Sequence, residues 1–346
     1  MDNLTHSLVG ALLGQAGLKK KTGLAMPALI IGANLPDVDA ACFFWLEGAE
    51  HLGFRRGITH GPPAMVLLPM ILAGLLYGFD RWQAKRGKRP EDRLPVSFKW
   101  LFLLSFIGCL THPALDWLNV YGIRLLEPFS SEWFYGDTLF IIDIWLWALM
   151  GFATWFSLRR EKRGEDWKRP ARVAIAVALA YIGVNGAITK VAECHAFARI
   201  PQSEVSAIAS PLPIKFWQRE IIWHAPHAEV EFARPLWGFW TFDEGLLHDV
   251  SSTNVVVFVE NGSSSGSSAR QAAAADKQVA AFLIWTRTPF VECSPDGGVL
   301  LRDARFYDPR ARDRFTVELP DVQCVPPENR HRDESQAMRQ SSDGGR

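Results

Sequence analysis

Two residues whose types and spacing suit metal binding, His112 and Asp116, stand at the end of an apolar run that begins at Trp100. On a helix, side chains four positions apart project from one face, so this imidazole and this carboxylate would lie side by side. Such a pair is half of a ligand set for a divalent metal. Ionisable side chains at the end of a membrane-grade apolar segment are also costly unless they have a partner. The spacing therefore predicts a metal site.

A second candidate pair, Asp37 and Asp39, directly follows Pro36 at the end of another apolar run. Two residues separated by one position cannot share a helix face. We therefore expect a turn or a helix start in which both carboxylates point at one cation. A capping or turn pair is the alternative interpretation, and the position at the end of an apolar run favours the metal.

Three histidines share one local pattern, since a threonine precedes each of them: Thr5-His6, Thr59-His60 and Thr111-His112. We expect the hydroxyl or a nearby backbone group to orient each imidazole toward the metal. Beside the second pair, we expect Gly57 to allow a tight turn and Thr59 to cap the following helix. A histidine at the membrane interface is the alternative interpretation of His60 taken alone.

Two further acids and one arginine lie at the same ends of the segments. Asp137 and Asp143 flank a short apolar stretch, and both are candidates for the metal site. For Asp143, an acid at a helix N-terminus is the ordinary alternative. Arg124 could clamp a phosphate or carboxylate through two parallel hydrogen bonds, or anchor the chain at lipid headgroups.

The composition argues against several other classes of protein. The 346 residues carry a formal net charge of +0, so there is no general electrostatic case for nucleic-acid binding. The 5 cysteines form no CxxC pair, which argues against a cysteine zinc site. No basic stretch precedes the first apolar run, so we expect no ordinary signal peptide.

Six apolar segments must position the candidate residues: 7–18, 24–36, 62–79, 100–111, 144–158 and 173–189. The third is free of charges and long enough to span a bilayer, whereas the first two are equally compatible with buried or half-inserted helices. Basic clusters follow the first, third and fifth segments, and the positive-inside rule assigns all three to the cytoplasm. The candidate histidines and acids then all fall at the outer ends of their segments, which favours a single site.

The character of the sequence changes at about residue 192. Short β-rich runs at 221–232, 255–260, 279–285 and 315–319 are separated by proline, glycine and polar turns. We therefore predict a mainly α protein with three parts: a polytopic helical membrane domain of about six segments (1–190), a small β-rich extracytoplasmic domain (192–322) and a disordered tail (323–346).

Four motifs occur in order along the first part: Met1-Asp2-Asn3-Leu4-Thr5-His6 with Gly10, Asn34-Leu35-Pro36-Asp37-Val38-Asp39, Arg56-Gly57-Ile58-Thr59-His60, and Thr111-His112-Pro113-Ala114-Leu115-Asp116 with Asn119, Tyr121-Gly122 and Arg124. Together they resemble the YdjM-like family of LexA-regulated inner-membrane proteins, which are described as metal-dependent hydrolases. The resemblance covers roughly residues 1 to 190, and the stretch from Asp137 to Asp143 looks like the family's next block. One position departs from the family pattern, because a histidine usually precedes the Arg-Gly of the third motif and this sequence has Arg55.

The residues and the resemblance together predict a hydrolase of the bacterial inner (cytoplasmic) membrane, multi-pass, with its metal site and C-terminal domain on the periplasmic side. We expect the metal ligands to be His6, Asp37, Asp39, His60, His112 and Asp116, and the catalytic residues to be Asp39, His112, Asp116 and Arg124. We expect this set to hold one or two divalent ions. A catalytic zinc usually has three protein ligands, so six ligands are more than one ion normally takes, and they favour a two-metal site, which suits phosphoester cleavage. Zinc is favoured, and manganese and iron also fit.

The expected chemistry is metal-assisted hydrolysis. The metal would lower the pKa of a water molecule and polarise the scissile group, while an aspartate accepts the proton. A site at lipid depth favours an ester or phosphoester of a lipid or lipid-linked substrate, with membrane lipids as partners and no nucleic acid. Two alternatives stay open: a metal-ion or proton transporter, and a membrane scaffold or sensor with a structural metal.

Overall fold

A computed structural model describes residues 1–199, 206–224, 231–233, 255–256, 276–307 and 312–323. Its first part is helical: α1 (Asn3–Gln15), α2 (Ala25–Asn34) with a 3₁₀ extension (Leu35–Phe44), α3 (Glu50–Phe54), a 3₁₀ turn (Ile58–His60), α4 (Pro62–Lys85), α5 (Phe98–Trp117), α6 (Ile144–Lys162) and α7 (Lys168–Arg199). The last four predicted apolar segments lie within α4, α5, α6 and α7, and the first two overlap α1 and α2.

Among the described residues, four helical stretches are long and apolar enough to cross a membrane: Ala25–Phe44, Pro62–Lys85, Phe98–Trp117 and Lys168–Ala196. The prediction of a mainly helical membrane protein is therefore confirmed. Helix α1 has 13 residues, fewer than the roughly 20 that a span needs. The last turn of helix α6 contains three basic residues. The count of six spans stays a prediction, as do the proposed domain boundaries.

Local signals set where several helices begin. The side chains of Asp2, Asp143 and Asp276 each accept hydrogen bonds from two backbone N–H groups, in the first turns of three helices. Proline starts α4 instead, at Pro62, where its missing N–H costs nothing. Burial of the apolar faces then contributes most of the helical stability.

The first basic segment contacts the other two at one end of the helices. The Lys19 ammonium pairs with Glu161 and lies 4.3 Å from the ring centroid of Trp167, so the loop after α1 meets the turn between α6 and α7. Thr22 Oγ1 accepts a hydrogen bond from the Ser97 N–H at 2.8 Å, which joins the same loop to the segment before α5. The predicted metal ligands belong to the opposite ends of these helices.

Glycine allows α2 and α5 to pack with their backbones in contact. A Cβ atom on Gly108 would lie 2.6 Å from the Leu29 carbonyl oxygen and 3.0 Å from the Ala33 nitrogen. This close approach lets the carbonyl oxygen of Ala33 reach the imidazole of His112, one turn beyond the glycine, at 2.7 Å. The helix contact thus positions a predicted metal ligand.

Gly108→Ala is expected to destabilise the protein by about 1–3 kcal/mol, because the added methyl group overlaps the α2 backbone. Gly74→Ala is the control, since no described atom lies within 4 Å of a Cβ at that position, and both changes bring the same gain in helix propensity. Thermal unfolding in detergent measures both variants. Equal shifts of the two melting temperatures would contradict the close contact.

The described C-terminal residues form two small antiparallel sheets and helix α8 (Lys277–Trp285). One sheet has the order β1 (Ser206–Pro211), β2 (Arg219–His224), β3 (Glu231–Ala233), with Ile208 opposite Ile222. The other has the order β4 (Val255–Val256), β5 (Pro289–Cys293), β6 (Gly298–Asp303), β7 (Thr316–Gln323), with Leu301 opposite Val291 and Val317. Small sheets in this region confirm the predicted β content. Residues 225–230, 257–260 and 324–346 lie outside the described residues.

The prediction of a strand at 279–285 is wrong, because these residues belong to helix α8. Its Val279, Phe282 and Trp285 are spaced three apart and are all buried, which is the period of a helix and not of a strand. The cap at Asp276 adds a helix start signal. A short apolar run cannot be assigned to a strand or a buried helix from its composition alone.

The C-terminal residues pack against the loop that follows α5. The Tyr121 ring centroid lies 5.1 Å from that of Trp285, within a shared apolar cluster. Arg305 donates to the Val120 carbonyl oxygen at 2.8 Å, and it pairs with Asp303 through two hydrogen bonds of 2.9 and 2.7 Å. Both charged side chains are buried. The C-terminal part is therefore fastened to the helical part next to the predicted site.

Candidate metal centre

Three imidazoles and one carboxylate converge at one end of the helices. The rings of His6 and His112 stack with centroids 3.8 Å apart, and the His60 ring lies 5.0 Å from that of His112. Asp116 Oδ1 lies 3.4 Å from His6 Nε2. Asp116 Oδ2 lies 3.5 Å from His112 Nε2 and 3.7 Å from His60 Nε2. All four side chains are buried, and the pair predicted from its spacing lies at their centre.

Asp37 and Asp39 lie at the edge of this group. Asp37 Oδ1 is 3.7 Å from His112 Nε2, and Asp39 Oδ2 is 3.6 Å from His60 Nδ1. Both carboxylates also contact one guanidinium, since Arg55 Nη2 lies 2.7 Å from Asp37 and Arg55 Nε lies 3.3 Å from Asp39. The structure thus brings the six predicted ligands together. Asp37 and Asp39 do share a cation, as predicted from their spacing, but this cation is the guanidinium of Arg55.

Hydrogen bonds fix the orientation of two imidazoles. His112 Nδ1 lies 2.7 Å from the Ala33 carbonyl oxygen and donates to it, because a carbonyl only accepts. His60 Nδ1 lies 2.9 Å from Thr59 Oγ1, and this hydroxyl donates to Asp39 Oδ2 at 3.2 Å. A hydroxyl that donates to a carboxylate accepts from the imidazole, so Nδ1 carries the proton there as well. Both tautomers leave the Nε2 lone pair for a metal.

Thr59 orients its neighbouring histidine as predicted, but the other two threonines bind elsewhere. Thr111 donates to a carbonyl of its own helix at 2.6 Å, and Thr5 donates at 2.6 Å to the aspartate that caps α1. The predicted cap of α4 by Thr59 is also wrong, because Gly61 occupies the N-cap position of that helix. The spacing of a threonine before a histidine therefore has no single structural meaning here.

Thr59→Val is expected to weaken metal binding by about 10–100-fold, because the change removes the hydroxyl between His60 and Asp39 at almost constant volume. Thr111→Val is the matched control, since that hydroxyl bonds within its own helix. Competition between the protein and a chelator measures both affinities. Equal affinities for the two variants would mean that the hydroxyl does not orient a metal ligand.

Several buried polar atoms of the centre make no hydrogen bond to any described residue: His6 Nδ1 and Nε2, His60 Nε2, His112 Nε2 and Asp116 Oδ2. Buried polar atoms without partners are costly and require an explanation. Two sets of side chains bring their ligand atoms within 4.8 Å of one another: His6, Asp37 and His112, and His60, His112 and Asp116. Imidazole and carboxylate are ligands that zinc, manganese and iron accept. The residues therefore fit a divalent metal.

Arg56 belongs to the same group, although a guanidinium is not a metal ligand. Its Nε lies 3.1 Å from Asp116 Oδ2, and its backbone N–H donates to Asp39 at 2.8 Å. The Met1 amino group contacts Asp116 too. Arg56 has a φ of 56°, a left-handed conformation that is unusual and strained for a residue other than glycine. Its place in the third motif is the one sequence signal that points to it.

Arg124 lies beside the centre, at a pocket of about 180 Å³. Its Nη2 donates to the carbonyl oxygens of Gly53 and Phe54 at 2.9 and 3.0 Å, and its Nη1 pairs with Glu127 at 3.3 Å. The pocket is lined by Asp39, Gly53, Phe54, Ile58, Thr59, Arg124 and Glu127. Arg124 and Asp39, which is one of the six predicted ligands, therefore line the same pocket.

The two remaining candidate acids have other contacts. Asp143 caps α6 and accepts a hydrogen bond from the Tyr181 hydroxyl at 2.9 Å, which is the ordinary role of an acid at a helix N-terminus. Asp137 pairs with Arg287 at 2.6 Å. Both acids tie the loop before α6 to neighbouring elements.

Comparison with known proteins identifies relatives of the helical part. A family model described as YdjM inner membrane protein matches residues 1–192. Over 167 residues the chain is 28% identical to a protein of Bacillus subtilis (strain 168) named "Uncharacterized protein YfhP". That match covers 45% of this chain and 47% of the relative, so the chain spans about half the relative's length. No solved structure matches the chain.

The family match covers more than half of the chain and includes all of the candidate metal ligands. Together with the apolar helices, it places the protein in the inner membrane. The resemblance found in the sequence motifs is thereby confirmed, and the chain belongs to the YdjM inner membrane protein family.

Proposed function

We propose that this protein is a membrane-bound, metal-dependent hydrolase that cleaves an ester or phosphoester of a lipid or lipid-linked substrate. One observation carries the proposal: buried imidazole nitrogens that make no hydrogen bond to the described residues converge on one point at the Asp116 carboxylate. The atoms nearest that point are His60 Nε2, His112 Nε2 and Asp116 Oδ2. A divalent ion would satisfy all of them at once.

The chain's own residues have distinct roles in this proposal. His60, His112 and Asp116 hold the ion, and His6 lies beside them. The ion supplies Lewis-acid chemistry, which acidifies water and polarises a carbonyl or phosphoryl oxygen. Asp39 lies between the centre and the pocket and is held by hydrogen bonds from Arg56 and Thr59. We assign to Asp39 the acceptance of the proton from the attacking water.

The pocket supports a substrate with an anionic head and an apolar tail. Arg124 lines the pocket, and its Nε is a buried donor without a hydrogen-bond partner among the described residues. A phosphate or carboxylate oxygen would satisfy this donor. Ile58 and Phe54 line the same pocket and are 66% and 48% exposed. Their apolar surfaces would contact an acyl or isoprenoid chain.

The proposed orientation puts the centre and the C-terminal region on the periplasmic side. The three basic segments meet at one end of the helices, where contacts such as that between Lys19 and Glu161 join them. The positive-inside rule assigns that end to the cytoplasm. We propose that α1 and α6 are inserted in the membrane as well as the four long apolar helical stretches. The chain then crosses the membrane six times, and the metal ligands and the C-terminal region lie outside.

A substrate screen tests the proposed function. The purified protein in detergent is loaded with zinc, manganese or iron and mixed with phospholipids, lysophospholipids, lipid phosphates and acyl esters, and products are measured by mass spectrometry. We expect product formation that depends on added metal and is absent in His112→Ala. A folded, metal-loaded protein that cleaves none of these classes would contradict the proposal. Metal uptake into vesicles would instead indicate a transporter.

A further inference from the structure

We propose that the centre holds a single divalent ion, and that the guanidinium of Arg55 takes the position of a second one. This inference rests on the proposed metal centre and specifies how many ions it binds.

Arg55 occupies the space between two carboxylates of the centre. Its Nη2 lies 2.7 Å from Asp37 Oδ1, and its Nε lies 3.3 Å from Asp39 Oδ1. Asp37 Oδ1 is the same oxygen that lies 3.7 Å from His112 Nε2. An ion bound by Asp37 would therefore have to displace the guanidinium from its shorter contact.

The two possible ligand sets compete for one nitrogen atom. Both sets contain His112: one adds His6 and Asp37, and the other adds His60 and Asp116. The Nδ1 of His112 donates to the Ala33 carbonyl oxygen, so its Nε2 is the nitrogen left for a metal. One imidazole nitrogen binds one ion. The two sets are therefore alternatives. The first set contains Asp37, which Arg55 contacts at 2.7 Å, whereas the guanidinium that contacts the second set is that of Arg56, at the longer distance of 3.1 Å from Asp116 Oδ2.

Charge balance favours the same conclusion. The three carboxylates of the centre, Asp37, Asp39 and Asp116, contact the guanidinium groups of Arg55 and Arg56. The Met1 amino group also contacts Asp116, so three negative and three positive groups balance before any ion binds. One divalent ion then leaves two positive charges, which suits an anionic substrate. A second ion would leave four uncompensated positive charges in a buried site, which is far more costly.

Metal stoichiometry tests the inference without any measurement of activity. Wild type, Arg55→His and Arg55→Lys are purified in detergent, incubated with Zn²⁺, desalted and analysed for zinc and protein. We expect about one equivalent in wild type and Arg55→Lys, because lysine keeps a cation beside the two aspartates. We expect about two equivalents of zinc in Arg55→His, because the introduced imidazole joins Asp37 and Asp39 as the third ligand of a second ion. Arg89→Gln is the control, since it removes an arginine that pairs with Asp80. It should bind about one equivalent of zinc, as wild type does.

The outcomes separate this inference from the proposed function. Two equivalents in wild type, or one equivalent in a folded Arg55→His, would overturn the role of Arg55 and leave the hydrolase proposal standing. A folded wild type that binds no metal would overturn both. A measurement on wild type alone tests the inference even if the variants do not fold. The Mn²⁺-loaded wild type should give the electron paramagnetic resonance spectrum of an isolated ion. The spectrum of an exchange-coupled pair would contradict the inference.

Discussion

Asp116→Asn is expected to abolish metal binding and to destabilise the protein by about 3–5 kcal/mol, the effect of leaving a buried charge without its partner. The carboxylate is buried, lies within 3.7 Å of the nearest nitrogen of each of the three imidazoles, and is 3.1 Å from Arg56 Nε. An amide of nearly the same volume preserves the packing and removes the charge. Elemental analysis measures the first effect, and thermal unfolding in detergent measures the second.

Two further variants separate metal binding from stability. Asp116→Asn/Arg56→Gln is expected to regain part of the lost stability, because neither partner then leaves a charge unpaired, and to remain without metal. Asp80→Asn is the control for the loss of a buried acid, since Asp80 pairs with Arg89 and Arg93 at the opposite end of the helices. It should lose stability and keep its metal. Unchanged metal content in Asp116→Asn would contradict the assignment of this carboxylate.

Asp303→Asn is expected to destabilise the protein by about 3–5 kcal/mol, because the buried guanidinium of Arg305 would lose its charged partner. Asp303 also accepts hydrogen bonds from the hydroxyls of Thr286 and Thr288 at 2.6 and 2.9 Å. Asp296→Asn is the control, since Asp296 is exposed. Thermal unfolding in detergent measures both variants, and similar melting temperatures would show that the Asp303 pair does not fasten the C-terminal region.

The same pair predicts a dependence of stability on pH. Burial alone raises the pKa of Asp303, but the guanidinium of Arg305 and the two threonine hydroxyls outweigh burial and lower it. An aspartate in the unfolded chain has a pKa of about 3.9. Because the pKa of Asp303 is lower than this in the folded protein, its ionised form stabilises the fold fully above about pH 4, and this stabilisation is lost as the pH falls further. Wild type should therefore lose stability below about pH 4 more steeply than Asp303→Asn. Parallel curves of melting temperature against pH would contradict this.

The helical part of the fold could be predicted from composition because long apolar segments have few alternative structures in a membrane protein. The charge bias also predicted that the three basic clusters share one side, and contacts such as the pair of Lys19 and Glu161 agree with it. The candidate ligands could be selected because histidines and acids at the ends of apolar segments are unusual. The spacing of His112 and Asp116 fixes their geometry on one helix, so their contact follows directly from the sequence.

The contacts of the arginines could not be predicted in the same way. Arg55 reaches residues 16 and 18 positions away, and this approach depends on how the 3₁₀ helix and α3 pack, which no local pattern records. Helix α8 was interpreted as a strand because its burial depends on long-range packing around Tyr121 and Trp285. The use of a carbonyl oxygen of Ala33 to orient His112 has no side-chain signature at all.

The central claim is that the buried histidines and Asp116 bind a divalent ion, and metal content tests it most directly. Wild type and His112→Ala are purified in detergent, incubated with zinc, manganese or iron, desalted and analysed, with intrinsic fluorescence confirming that both are folded. We expect about one equivalent of metal in wild type and none in the variant. A folded wild type that remains free of metal after incubation with all three ions would contradict it.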